Sequence, residues 1–106
     1  MQREEMNISI KGECLWVQLK CEIDSHTVGR IRERIDREIF LHRPETLVLD
    51  FTEVSFMDSS GLALILGRVQ LMQSIDGAVK LSGLSEQNLK LVRLCGMQKI
   101  KGLSLK

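Results

Sequence analysis

Aromatic residues are scarce in this sequence, which has one tryptophan, three phenylalanines and no tyrosine among its 106 residues. The formal net charge is only +1. Proteins that bind nucleic acid usually combine a strongly basic face with aromatic side chains on which bases stack. The composition therefore argues against a direct nucleic-acid partner and favours another protein as the partner.

Cysteine is also rare. Cys14, Cys21 and Cys95 are odd in number, lack C-x-x-C spacing and lie among apolar residues. That pattern is typical of reduced core thiols rather than of disulfides or a metal site. His26 and His42 lack the spacing of a zinc motif. We expect neither a metal nor a cofactor.

Long apolar stretches are missing, and no charged-then-apolar leader follows Met1. The sequence therefore supports neither membrane insertion nor a secretory signal, and we expect a cytoplasmic protein. At 106 residues with 43% hydrophobic content, the chain is expected to form a single domain, 1–106, around one modest core.

The strands are predicted from alternation and from short apolar runs. Two alternating segments that flank Gly12 predict a β-hairpin. The run 47–51 predicts a central strand covered on both faces, and 79–81 and 100–105 predict two more strands. With helices between them, the order β-β-α-β-α-β-α-β predicts an α/β fold in which helices pack on a mixed sheet.

Three helices are predicted between these strands, each from the spacing of its apolar residues. Apolar residues in the segment 28–39 recur at helical spacing, with charged residues on the other sides, so this segment predicts an amphipathic helix. Asp24 or Ser25 can cap its start, and Pro44 ends it. The third helix is predicted to begin after Ser85 and to end at Gly96.

The second helix, 62–72, is apolar around most of its circumference. Its predicted core stripe consists of Leu62, Ile65, Leu66, Val69 and Met72. The apolar residues predicted to lie off that stripe are Leu64, Leu71 and Ile75. In so small a domain this pattern favours a helix that offers its second face to another protein.

The segment 56–61, Phe-Met-Asp-Ser-Ser-Gly, lies between the predicted central strand and the second helix. Asp58 or Ser59 can cap that helix, and capping alone is one interpretation of the pattern. A helix N-terminus also tolerates negative charge, including a phosphate attached to a serine. Three consecutive polar residues after a Phe-Met pair that we expect to be exposed exceed what capping needs, so we favour a phosphorylation-gated binding site.

A serine hydrolase is the natural enzymatic alternative, with Ser59 as nucleophile and 24–26 as the source of an acid and a base. The nucleophile elbow G-x-S-x-G is absent, because Met57 and Asp58 stand where its first glycine is required. The phosphate-binding motif GxxxxGK[ST] is missing as well. We expect no enzymatic activity and assign no catalytic residue.

Several blocks of the sequence form one recognisable set, namely 22–24, 26–27, 47–51, 54–62, 65–68 and 94–97. Together they resemble the STAS domain family, and within it the bacterial anti-sigma factor antagonists of the sporulation type. The resemblance extends over most of the chain, and its most specific part is the Asp-Ser-Ser-Gly block in a strand-to-helix setting.

The resemblance implies a partner switch. The unphosphorylated domain would bind an anti-sigma factor that is also an ATP-dependent serine kinase, and would thereby free a sigma factor. Phosphorylation of the serine that matches Ser59, with Ser60 as the alternative acceptor, would release the kinase, and a PP2C-type phosphatase would reset the domain. The implied partner-binding residues are Asp24, Ser25, His26, Thr27, Met57, Asp58, Ser59, Ser60, Gly61, Leu64 and Arg68.

A second function stays open on the sequence alone: a STAS scaffold or interaction subunit of a signalling or transport assembly, in which the serine is never modified. A homodimer is also compatible with the resemblance. Cys21 and Ala63 stand where the family usually has glycine, and the sequence stops at Lys106 without the usual final helix.

Overall fold

Five strands and three helices follow one another in the predicted order. The computed structural model describes residues 5–105. The strands are β1 (Met6–Lys11), β2 (Cys14–Leu19), β3 (Thr46–Asp50), β4 (Ala78–Ser82) and β5 (Leu103–Leu105). The helices are α1 (Val28–His42), α2 (Ser59–Gln73) and α3 (Glu86–Leu94), and a 3-10 turn, Met97–Lys99, precedes β5. The last strand is therefore shorter than the predicted 100–105, because a turn at Lys101 and Gly102 (φ 88°) uses part of that segment.

The sheet is mixed, as the sequence predicts. Its strands lie in the order β1-β2-β3-β4-β5. The β1–β2 hairpin is antiparallel, and its turn contains Gly12 with a positive φ of 59°. The remaining three pairs are parallel. Since β2, β3 and β4 point the same way, their carboxyl ends meet at one edge of the sheet, and the loops leaving them become neighbours.

The helices cover one face of the sheet, yet Leu47, Val48 and Leu49 of β3 are all buried, so the prediction that the central strand is covered on both faces is confirmed. Each helix connects a strand to the next strand in the sheet, and all three connections run in the same direction across the sheet. Because such connections are right-handed, all three helices lie on the same side. Leu47 and Leu49 belong to the main core, whereas Val48 does not. Val48 points to the opposite face, where it is buried beside its cross-strand neighbours Trp16 and Lys80.

Helix α1 follows its predicted stripe. Ile31, Ile35 and Ile39 are buried, and most of the charged residues between them are exposed. The helix ends at His42, because Arg43 adopts a left-handed conformation (φ 43°) ahead of Pro44. This agrees with the prediction that proline disfavours helical geometry in the preceding residue.

Helix α2 packs on the sheet through a partly different face from the predicted one. Its buried residues are Gly61, Leu64, Ile65, Arg68, Val69 and Met72. Leu64, predicted to lie off the stripe, is 2% exposed, whereas Leu66, predicted to be in the core, is 39% exposed. Because apolar residues occupy nearly every position of this helix, two stripes of equal spacing are available, and periodicity cannot choose between them.

The cysteines only partly match their prediction. Cys14 and Cys21 are half-buried, but Cys95 is exposed, because it follows the exposed end of α3 rather than its buried side. None of the three forms a disulfide within the described residues. Within residues 5–105, no helix is both long enough and apolar enough to cross a bilayer.

Gly83, just after β4, is predicted to be the glycine least tolerant of substitution. Its φ is +72°, and an added Cβ would lie 2.8 Å from Thr52 N and 2.9 Å from Asp50 Oδ1. Gly96 has a similar φ of +73° but open space around it. We expect Gly96→Ala to cost about 1 kcal/mol from backbone strain alone, and Gly83→Ala to cost roughly 2 kcal/mol more from overpacking. Urea unfolding of both variants measures the difference, and equal losses would contradict the steric argument.

Candidate functional site

The loop after β2 and the loop after β3 are joined by backbone hydrogen bonds. Ile23 forms an isolated parallel bridge with Met57. The Ile23 N–H donates to Phe56 O at 3.0 Å, and the Asp58 N–H donates to Ile23 O at 3.1 Å. The prediction that the two loops lie at the same edge of the sheet is therefore confirmed.

The serine loop, residues 56–61, contains the capped N-terminus of α2. Asp58 is the N-cap of α2, and its Oδ1 accepts a hydrogen bond from Ser60 N at 2.8 Å. Its backbone oxygen accepts from Gly61 N at 2.9 Å. The prediction that Asp58 or Ser59 caps this helix is confirmed, with Asp58 in that role. The carboxylate also lies at the positive end of the helix dipole, where it is stabilised.

The two serines face different surroundings. Ser59 is the first helical residue and is exposed, whereas Ser60 is half-buried. Ser60 lines a cleft of about 430 Å³ between α1 and α2, together with Arg32 and Arg68. Ser59 does not line that cleft. Of the two hydroxyls, that of Ser59 is the more accessible to a second protein.

The neighbouring segment 24–27 is a turn rather than the start of a helix. Asp24 Oδ1 accepts from His26 N at 2.8 Å and from Thr27 N at 3.1 Å. The prediction that Asp24 or Ser25 caps α1 is wrong, because α1 starts at Val28 after Thr27, whose hydroxyl instead donates to Glu22 O at 2.7 Å. Ser25 and His26 are exposed, and Asp24 and Thr27 are half-buried.

Four of the predicted partner-binding residues have almost no exposed surface. Met57 is 3% exposed, Leu64 2% and Arg68 7%, and Gly61 is buried as well. At the surface around Ser59 these four therefore have little area with which to contact a partner, and Arg68 is open only to the cavities between α1 and α2. The bridge to Ile23 turns Met57 inward, where it packs so closely on Gly61 that an added Cβ would lie 2.8 Å from Met57 Sδ.

Phe56 and Arg32 belong to the site but are missing from the predicted set. Phe56, the first residue of the serine loop, is 46% exposed. Arg32 lines the cleft beneath Ser60. The signal for Arg32 was its helical spacing from residues 28 and 29, which line the same cleft.

Arg68 joins α2 to α1 through an ion pair with Asp36. Arg68 Nε lies 2.9 Å from Asp36 Oδ1, and the two side chains are 8% and 36% exposed. The pair is not aligned as a hydrogen bond, so Nε and Nη1 of Arg68 lack a hydrogen-bond partner within the described residues. Burial lowers the pKa of Arg68 and raises the pKa of Asp36, and each charge partly offsets the shift in the other. An arginine nonetheless stays charged.

Loss of the cap should affect stability independently of charge. Asp58→Ala removes the acceptor for Ser60 N and is expected to cost about 1 kcal/mol of unfolding free energy. Asp58→Asn keeps an acceptor oxygen and should stay within about 0.5 kcal/mol of the native chain. Urea unfolding distinguishes them. If the asparagine variant were as unstable as the alanine variant, the carboxylate charge rather than the cap would hold the loop.

The Asp36–Arg68 pair should respond asymmetrically to mutation. Asp36→Asn leaves a buried guanidinium without its counter-charge and should cost roughly 2 kcal/mol, less than a fully buried pair because Asp36 is partly exposed. Arg68→Met removes the buried charge, leaves Asp36 access to water, and should stay within about 1 kcal/mol of the native value. Glu33→Gln, an exposed neighbour on α1, serves as control. The reverse order in thermal or urea unfolding would show that the pair is net stabilising.

Comparison with known proteins extends over almost the whole chain. The family model described as "STAS domain" matches residues 5–105. The chain is 34% identical over 99 residues to the anti-sigma F factor antagonist of Paenibacillus polymyxa, covering 90% of this chain and 85% of that protein. It is 31% identical over 101 residues to the anti-sigma-B factor antagonist of Listeria monocytogenes, with 90% and 87% covered.

Solved structures of the Bacillus cell fate determinant SpoIIAA share the fold. The unphosphorylated anti-sigma factor antagonist SpoIIAA matches with a TM-score of 0.74 and 28% identity, covering 95% of this chain and 86% of that one. The phosphorylated form matches with a TM-score of 0.73 and 28% identity, covering 95% and 90%. Sequence and fold agree, and this chain belongs to the STAS domain family.

Proposed function

We propose that this protein is an anti-sigma factor antagonist controlled by phosphorylation of Ser59. In its unphosphorylated form it binds an anti-sigma factor that is also a serine kinase, and so frees a sigma factor. The names of its relatives support this assignment. The observation that carries it is the position of Ser59, exposed at the first residue of α2 directly after the Asp58 cap.

A phosphate on Ser59 need not disturb the fold. The hydrogen bonds that hold the loop involve Ile23, Phe56, Asp58 and the backbone N–H of Ser60, not the Ser59 hydroxyl. The phosphate adds about −1.5 to −2 charges at a helix N-terminus, which is the helix end that stabilises negative charge. The modification therefore changes the surface charge while leaving the backbone arrangement in place.

An interface over the same loop is much more sensitive. The exposed or half-buried residues around Ser59 are Asp24, Ser25, His26, Thr27, Phe56, Asp58 and Ser60. Phe56 supplies an aromatic anchor of the kind that contributes strongly when a partner covers it. A phosphate near Phe56 and the Asp58 carboxylate would weaken the binding of an apolar or acidic partner surface. Like-charge contact costs several kcal/mol, and each ~1.4 kcal/mol weakens binding about tenfold.

In the rest of the proposed cycle this chain is the substrate of two enzymes, a kinase and a phosphatase. The chain supplies the acceptor hydroxyl, the kinase supplies catalysis and ATP, and a PP2C-type phosphatase removes the phosphate from the exposed serine. We propose that this cycle runs in the cytoplasm. A homodimer is compatible with it but is not required by it.

Incubation with the anti-sigma factor kinase of the same organism and ATP tests the modification. We expect the intact mass to increase by one phosphate, located on Ser59 by peptide sequencing, and the complex to dissociate. Ser59→Ala should block the mass increase, and the matched control Ser60→Ala should not. A chain that stays unmodified in a lasting complex would support the scaffold alternative instead.

Binding of unmodified variants tests the switch itself. By titration calorimetry, Ser59→Ala should bind the kinase with affinity close to that of the native chain, because it adds no charge. Ser59→Asp should bind at least about tenfold more weakly, because it places a carboxylate at the centre of the surface. Equal affinities for the two variants would contradict the mechanism.

A further inference from the structure

A groove between α1 and α2 lies beyond the serine loop. It has a volume of about 740 Å³ and is lined by residues of both helices, none of them from the segments 24–27 or 56–61. Its charged lining is unbalanced, because four arginines face two carboxylates. The arginines are Arg32, Arg37, Arg43 and Arg68, and the carboxylates are those of Glu33 and Asp36.

Arg68 is the unusual member of this lining. Its side chain is 8% exposed, yet Nη1 and Nε have no hydrogen-bond partner within residues 5–105, although Nε lies 2.9 Å from Asp36 Oδ1. A buried guanidinium with unmade hydrogen bonds is costly, and it prefers the planar geometry of a carboxylate. An oxygen anion entering the groove would find a desolvated donor whose side chain is already held in place by Asp36.

The groove also has an apolar part. Phe40 is 80% exposed on α1 and lines the groove together with Leu71 of α2 and Ile75, which follows the end of α2. A large side chain exposed to this extent beside half-buried aliphatic residues is typical of a surface that another protein covers. The two carboxylates and the apolar side chains disfavour a phosphate backbone relative to a peptide.

We infer that this groove docks a segment of a partner protein in which carboxylate side chains alternate with large apolar ones. A carboxylate would reach Arg68 and Arg32, and an apolar side chain would pack on Phe40. The inference extends the proposed function by giving the partner a second contact. Because the groove shares no residue with the serine loop, its binding should not depend on the state of Ser59.

A short fluorescein-labelled peptide of alternating aspartate and leucine serves as the probe, measured by fluorescence anisotropy with the full chain. We expect saturable binding, and at least about fivefold weaker binding of the counterpart that carries asparagine for aspartate. Amide chemical shifts should move at the groove residues of α1 and α2. A single-stranded oligonucleotide of equal charge should bind more weakly, and tighter binding of the oligonucleotide would overturn the inference.

Two matched pairs of exposed residues localise the binding. Arg32→Glu should weaken peptide binding about tenfold or more, whereas Arg34→Glu, the same change on α1 outside the groove, should alter it less than about twofold. Phe40→Ala should weaken it, and Leu41→Ala, also exposed but outside the groove, should not.

The outcomes separate this inference from the proposed function. Ser59→Asp should leave peptide affinity unchanged, even though it weakens kinase binding. Three results would overturn the groove as a docking site. They are equal effects within either matched pair, no binding of the peptide, and amide chemical-shift changes confined to 56–61. None of those results would affect the phosphorylation test on Ser59.

Discussion

The two backbone hydrogen bonds between Ile23 and the segment 56–58 are the constraint on which the site depends. They extend the parallel pairing of β2 and β3 by one bridge past the end of the regular sheet. In doing so they turn Met57 into the core and leave Phe56 and Ser59 facing outward on either side of it. They also deliver Asp58 to the position from which it caps α2. The exposure of Ser59 is thus a consequence of strand pairing, and the pairing does not involve its hydroxyl.

The setting of α2 on the sheet has a further consequence, since it places a charged residue on the buried side. Once Gly61, Leu64 and Ile65 face the core, the next turn brings Arg68 inward towards α1. The guanidinium is then close to Asp36 and to the like charge of Arg32, and burial lowers its pKa more than Asp36 raises it. Close packing of α2 therefore carries an electrostatic cost, and part of that cost remains as unmade hydrogen bonds in the groove between the helices.

Local patterns in the sequence predicted most of the fold. Alternation identified the hairpin, and helical spacing identified the buried stripe of α1, because each of these elements has one apolar side. The order of the elements was enough to bring the two loops of the site together. Periodicity could not orient α2, which is apolar nearly all round. Propensity could not foresee that Thr27 would use its hydroxyl on Glu22 O, which moved the start of α1. The inward turn of Met57 depends on a contact with Ile23, far away in sequence, and no local rule contains it.

The two surfaces of the molecule differ in how they can respond to a phosphate. The loop around Ser59 lies at the positive end of α2, where added charge is tolerated by the helix but projects directly into any interface above it. The groove begins further along the same helix, beyond the cleft beneath Ser60, and Arg68 lines both cavities. Screening at physiological salt weakens interactions between exposed charges beyond about 8 Å. Under the proposed function, a phosphate on the exposed Ser59 therefore acts mainly on the loop, and the buried Arg68 keeps its own environment. The same helix would then present a switched surface and a constant one to the proposed partner.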